Sequence, residues 1–229
     1  MIFTFGDGFA TGHIWPEWPQ ILQALLPDQQ ICNIAGIGAG PEFLISGLVD
    51  QLQSMQGQTA IVQWPAPNRF DKLLQDSTWD TLIERDAKYH FNKVQDSHKR
   101  NWWLSSGSDN LKEYHSHWVQ TQQHTRRLDI YKALVQNTLD NIDCKFLFTS
   151  TQDLDNFSQQ SRFHNVRQNH VQPSPIVHFY WLQEKVCSKL DMSIDPERVQ
   201  WLEKEIINAN WIAYDPERET YWNSIINAK

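Results

Sequence analysis

The chain has 229 residues, with 20 Lys plus Arg against 27 Asp plus Glu and a formal net charge of −7. This length suits one α/β domain with an appendage and can bury a real core. The densest basic cluster is Arg126-Arg127, which argues against a nucleic-acid groove, and no apolar run approaches the roughly 18 residues of a membrane span.

Ile2–Phe5 reads as a strand that breaks into Gly6-Asp7-Gly8. Residues 17–26 read as a helix, with Pro16 and Pro19 near its start, where proline is tolerated. Residues 30–36 (QICNIAG) read as a second short strand, and residues 36–40 (GIGAG) as a loop. Pro41–Gln53 carries Phe43, Leu44, Leu48 and Leu52 at helical spacing. Residues 59–64 (TAIVQW) make a third strand, apolar enough to be buried on both faces. Alternating strands and helices predict a parallel sheet with right-handed crossovers.

Residues 65–108 break this rhythm and are expected to form an insertion with short helices. One long helix is expected over 109–139, with Leu111, Trp118, Leu128, Tyr131, Leu134, Val135 and Leu139 on a broad apolar face. A fourth strand follows at 144–151, then a polar loop to about residue 172. Residues 174–190 read as a helix, with Ser174 as N-cap and Pro175 at its first position. The tail contains DPER twice, at 195–198 and 215–218, and each copy reads as a helix start. The expected organisation is an α/β domain over 1–190 and a helical extension over 191–229.

Four blocks in this order carry a family resemblance. TFGDGF follows strand one and is paired with WPEW; NIAGIGAGPEFL follows strand two; VQWPAPNRFD closes strand three; QPSPIVHFYWL opens the late helix. Together they resemble the SGNH, or GDSL-like, hydrolases, including their phage-encoded branch. The resemblance implies a flavodoxin-like three-layer α/β fold, with the catalytic groups after strand one and just before the last helix. It also suggests a phage virion component, in a tail, baseplate or capsid surface.

The catalytic positions have changed. Where the family places its nucleophilic serine, this chain has Gly8. The family's histidine position is Gln172, and the preceding residues His170 and Asn169 supply no carboxylate. Acyl transfer needs a nucleophile, a base beside it and an acid group to orient that base. Glycine cannot attack a carbonyl, and glutamine cannot take the proton. The expectation is therefore a non-catalytic scaffold, needing no metal or cofactor. Its partners would be other virion proteins or copies of itself, not nucleic acid or a membrane. It would be made in the host cytoplasm and end in the virion.

Other readings compete with this one. A rearranged carbohydrate esterase would use Asp7 to orient water and His170 as a displaced base, with His13 nearby. A glycan-binding module would use a residual pocket of Asp7, Gly38, Gly40, Asn68 and Arg69. Loop geometry is the simpler account of the glycines. Arg69 with Asp71 reads first as an internal salt bridge.

Eleven tryptophans is a high number for this length and suits a contact surface. Trp102 and Trp103 are adjacent, so both cannot face one core, and with Trp201 and Trp222 they are the candidate interface residues. His115 and His117 lie about 200° apart on a helix and so cannot share a metal there. Cys32, Cys144 and Cys187 are odd in number and widely spaced, giving no disulfide framework or metal spacing.

Overall fold

Ile2–Gly6 (β1) forms a buried strand flanked by Ile31–Ala35 (β2) and Thr59–Trp64 (β3), and β3 pairs in turn with Lys145–Ser150 (β7). All three pairings are parallel and in continuous register, giving the order β2-β1-β3-β7. The computed structural model describes residues 1–7, 10, 16–69, 71–74, 92–95, 100–104, 121–163, 173–209 and 216–227.

Side chains alternate across the sheet, so each strand feeds two cores. Ile2 and Ile61 point into one, while Phe3, Phe5, Ala60 and Val62 point into the other. The second core is covered by Pro41–Met55 (α2) and Thr121–Asn141 (α3), through Leu44, Leu48, Leu128, Val135 and Leu139. The first is covered by Trp18–Leu25 (α1), Thr151–Ser158 (α4), Pro175–Trp181 (α5) and the tail helices Pro196–Ala209 (α6) and Pro216–Asn227 (α7). Helices therefore lie on both faces of an all-parallel sheet.

Helix α1 is only 8 residues long. It begins with a capping box, in which the Glu17 N–H donates to Gln20 Oε1 at 3.2 Å. Its tryptophan does two jobs. The Trp18 ring meets Trp181 of α5 edge-on at 5.8 Å between centroids, and its Nε1 donates to Gln63 Oε1 of β3 at 3.2 Å.

Within the expected insertion the described residues form three strands, Asp71–Leu74 (β4), Asn92–Gln95 (β5) and Asn101–Leu104 (β6), and the short helices expected there fall on 75–91, 96–99 and 105–108, outside the described residues. The three strands form an antiparallel sheet of order β4-β6-β5, with Leu73 and Val94 both opposite Trp102. Paired aromatic and β-branched residues favour such ladders.

The expected polar loop after β7 also carries structure. Ser150 Oγ accepts the Asp153 N–H at 3.1 Å and starts α4, whose Leu154 and Phe157 are buried. A 3-10 turn follows at Ser161–Phe163. The long helix is described from Thr121, and the earlier part of the expected span, 109–120, lies outside the described residues. Beyond α5 the late helix continues as a π-helical stretch, Leu182–Cys187.

The first tail helix is capped as its sequence suggests, the Glu197 N–H donating to Asp195 Oδ1 at 2.9 Å. Leu202, Ile206 and Trp222 of the tail join the same buried cluster as Trp18 and Trp181. The tail thus completes the first core.

Helix α2 rides close over β2 at Gly47, where a Cβ would lie 2.6 Å from Ile34 Cγ2. In an open helix, Gly→Ala adds up to about 1 kcal/mol. Here the stiff β-branched isoleucine cannot yield, so Gly47→Ala should lower stability by about 1–3 kcal/mol in urea denaturation. The loss should shrink when measured in an Ile34→Ala background.

Candidate functional site

Ligands of open α/β sheets bind beyond the carboxyl ends of the strands, where the chain switches the direction in which strands are added. Here β2 lies on one side of β1 and β3 on the other, so the switch point falls between β1 and β3. Asp7 directly follows β1, and Arg69 lies shortly after β3. The two side chains meet across this crevice. Arg69 Nη1 donates to Asp7 Oδ2 at 2.7 Å, with the Asp7 side chain 1% exposed and the Arg69 side chain 28% exposed.

The Arg69–Asp71 salt bridge expected from the sequence is not the pairing found. Arg69 turns to Asp7, and Asp71 turns to the start of α2. The Gly40 N–H donates to Asp71 Oδ1 and Oδ2 at 2.9 and 2.8 Å, and the Phe43 N–H donates to Oδ2 at 2.9 Å. The reason is local: an unfilled helix start offers several N–H donors to one buried carboxylate. In return, the Asp71 N–H donates to Glu42 Oε2 at 3.0 Å.

Helix α3 closes the network. Arg127 pairs with Glu42 at 3.3 Å and donates to the carbonyl oxygens of Arg69 and of Pro67, the latter at 3.4 Å. Tyr131 Oη donates to Glu42 Oε1 at 3.4 Å, and burial together with the Glu42 charge raises the tyrosine's pKa. Burial pushes the Asp71 carboxyl up to about 7, with the Glu42 charge in the same direction. The Phe43 and Gly40 N–H bonds and the Arg69 charge oppose that rise.

The glycines have backbone duties. Gly38 has a positive φ of 77°, which glycine adopts without strain. Gly40 is the N-cap of α2 and lends its N–H to Asp71. Asn68 is exposed in the turn between β3 and Arg69. Gly8, His13, Asn169, His170 and Gln172, singled out in the sequence, lie outside the described residues. So do His115 and His117.

Of the four candidate interface tryptophans, two are spent inside the chain. Trp102 is 5% exposed and sits edge-on to Phe43, and Trp222 is 1% exposed in the first core. Trp103 follows Trp102 in β6, and its side chain lies outside the described residues. Trp201 is half-buried, with the Arg198 guanidinium 5.6 Å from its ring centre.

The sequence reading missed several buried polar groups, His178 and Gln63 among them. His178 of α5 is fully buried, and burial drives its pKa down to about 3, so it is neutral. Neither ring nitrogen has a hydrogen-bond partner among the described residues. A histidine inside the apolar run IVHFYW was the available signal. Gln63 is also fully buried and anchors Trp18. Burial raises all three thiols, Cys144 to about 11 and Cys187 to about 12, so none is an activated nucleophile. Among the described residues no group of His, Cys, Asp or Glu is placed to hold a metal ion.

A folded-state pKa near 7 for Asp71 sets a sign for the pH dependence. A carboxyl that binds its proton more tightly in the folded chain stabilises that chain most when protonated. Its contribution is therefore full below the unfolded value near 4 and declines as pH rises through about 7. Over that window the wild type should lose stability relative to Asp71→Asn, whose side chain does not titrate. Urea denaturation of both proteins at several pH values reads the difference directly.

No family model, no curated protein and no solved structure matches this chain.

Proposed function

We propose that the chain is a non-catalytic scaffold of the SGNH, flavodoxin-like kind, serving as a structural component of a phage virion through protein contacts. The observation that carries the non-catalytic part is the Asp7–Arg69 ion pair across the switch-point crevice. A carboxylate held 2.7 Å from a guanidinium and shielded from solvent is poorly placed to direct water onto an ester. The neighbouring family nucleophile position is Gly8, which has no reactive side chain. The first three blocks of the resemblance, two of them bearing glycine, follow or close β1, β2 and β3, and the fourth opens α5. That arrangement supports the SGNH reading. The virion assignment rests on the phage-branch likeness alone.

Turnover of chromogenic acetyl esters by the purified protein should not exceed that of buffer. Hydrolysis that disappears on Asp7→Ala or His170→Ala would replace this reading with a rearranged esterase. Peptides of the chain should be found by mass spectrometry in purified particles of the encoding phage, and their absence there removes the virion role.

A structural use of the ion pair has its own signature. Groups kept for ligand binding often destabilise the free protein. Arg69→Ala should instead lower stability by about 1–3 kcal/mol, because it takes the guanidinium away from a buried Asp7 carboxylate. A gain in stability would mean that the crevice is kept for a ligand.

A further inference from the structure

Strand β7 is the last strand of the parallel sheet, and among the described residues it pairs only with β3. Its Lys145 N–H donates to Gln58 O at 2.8 Å, on the β3 side. Backbone polar groups alternate sides along a parallel strand, so Phe146 and Phe148 turn their N–H and C=O to the outer edge. An uncovered edge of this kind is a template for another strand. The single charge on β7, Lys145, is drawn away to the Leu190 carbonyl and to Asp191, so it does not guard the edge.

A cavity of about 360 Å³ opens along the same strand, between α4 and the π-helical stretch. Phe157 and Trp181 give it apolar surface, and Thr149 and Asn156 give it hydrogen-bonding groups. Lys185 and Lys189 line it as well. Both are exposed, and neither makes an ion pair among the described residues. The carboxylate on the α4 wall, Asp153, accepts a hydrogen bond from Ser150 Oγ at 2.8 Å. With Asp153 counted, the lining carries two cationic side chains against one carboxylate, a local positive balance in a chain of net charge −7.

We infer that this groove receives an extended acidic peptide segment, which adds to the outer edge of β7 as a further strand and sets its carboxylates against Lys185 and Lys189. The backbone edge supplies hydrogen bonds, and the side-chain lining supplies selection, as in other strand additions. A second copy of this chain fits less well. A two-fold contact through β7 would bring both lysine pairs to one interface. The inference is independent of the virion role.

The test uses the whole protein and a mixture of synthetic peptides about ten residues long, alternating Val or Thr with Glu. A matched mixture carries Lys in place of Glu. The glutamate peptides should bind in calorimetry with a Kd below about 1 mM, and the paired charge reversal Lys185→Glu with Lys189→Glu should weaken them about tenfold or more. Binding should also slow hydrogen exchange at the Phe146 and Phe148 N–H groups. Several results overturn the proposal: no binding of the glutamate mixture, equal binding of the lysine mixture, indifference to the charge reversal, or unchanged exchange at Phe146 and Phe148. Protection of those N–H groups by concentration-dependent self-association, seen in sedimentation without peptide, would assign the edge to a second copy instead.

Discussion

Helix α2 starts at Gly40, which has no side chain to accept the amide hydrogens left over at a helix start. Asp71 supplies the missing acceptor from β4, a strand of the other sheet. Glu42 answers by accepting the Asp71 N–H. This reciprocal exchange ties the small antiparallel sheet to the carboxyl end of the large parallel one. Phe43, one residue beyond Glu42, packs on Trp102 of β6, so apolar contact reinforces the polar link. With β4 held there, Arg69 just upstream has a defined position, and its guanidinium reaches Asp7.

The same constraint decides what becomes of the switch-point crevice. In a parallel sheet this is where the diverging loops leave room for a ligand. Here Asp7, Arg69, Arg127, Glu42 and Asp71 form a chain of contacts from β1 through the β3 loop and α3 to the start of α2. Each member has an opposite charge or a backbone group beside it, which is how buried ionisable groups persist. Part of the charge in the crevice is thus used to join secondary-structure elements.

The parallel sheet was legible because three of its strands, β1, β2 and β3, are runs closed by glycine or proline, and because residues such as Phe3 and Phe5 need no distant partner to reveal their role. The second sheet was not. Asp71–Leu74 and Asn92–Gln95 are four-residue strands of mixed polarity, and they become strands only through pairing with β6. Helix α4 was read as loop because two apolar residues, Leu154 and Phe157, carry its buried face. At the site, Asp7, Arg69 and Asp71 were all singled out in advance, but two of them were joined to the wrong partner. Proximity in sequence favoured Arg69 with Asp71, whereas the fold offered Asp71 the amides of a helix begun 31 residues earlier at Gly40. Glu42, Arg127 and Tyr131 carried no local signal, since their meeting depends on α3 crossing α2.

The tail helices place a condition on synthesis. Arg198 of α6 donates to the Ala24 carbonyl of α1 and, at 3.4 Å, to the Ile226 carbonyl of α7, while Trp222 is packed in the cluster that contains Trp18. One flank of α1 is therefore sheltered by a residue that lies 174 positions further along the chain. Until translation has passed that far point, the nascent chain carries a partly uncovered apolar face, a state in which chaperones commonly intervene.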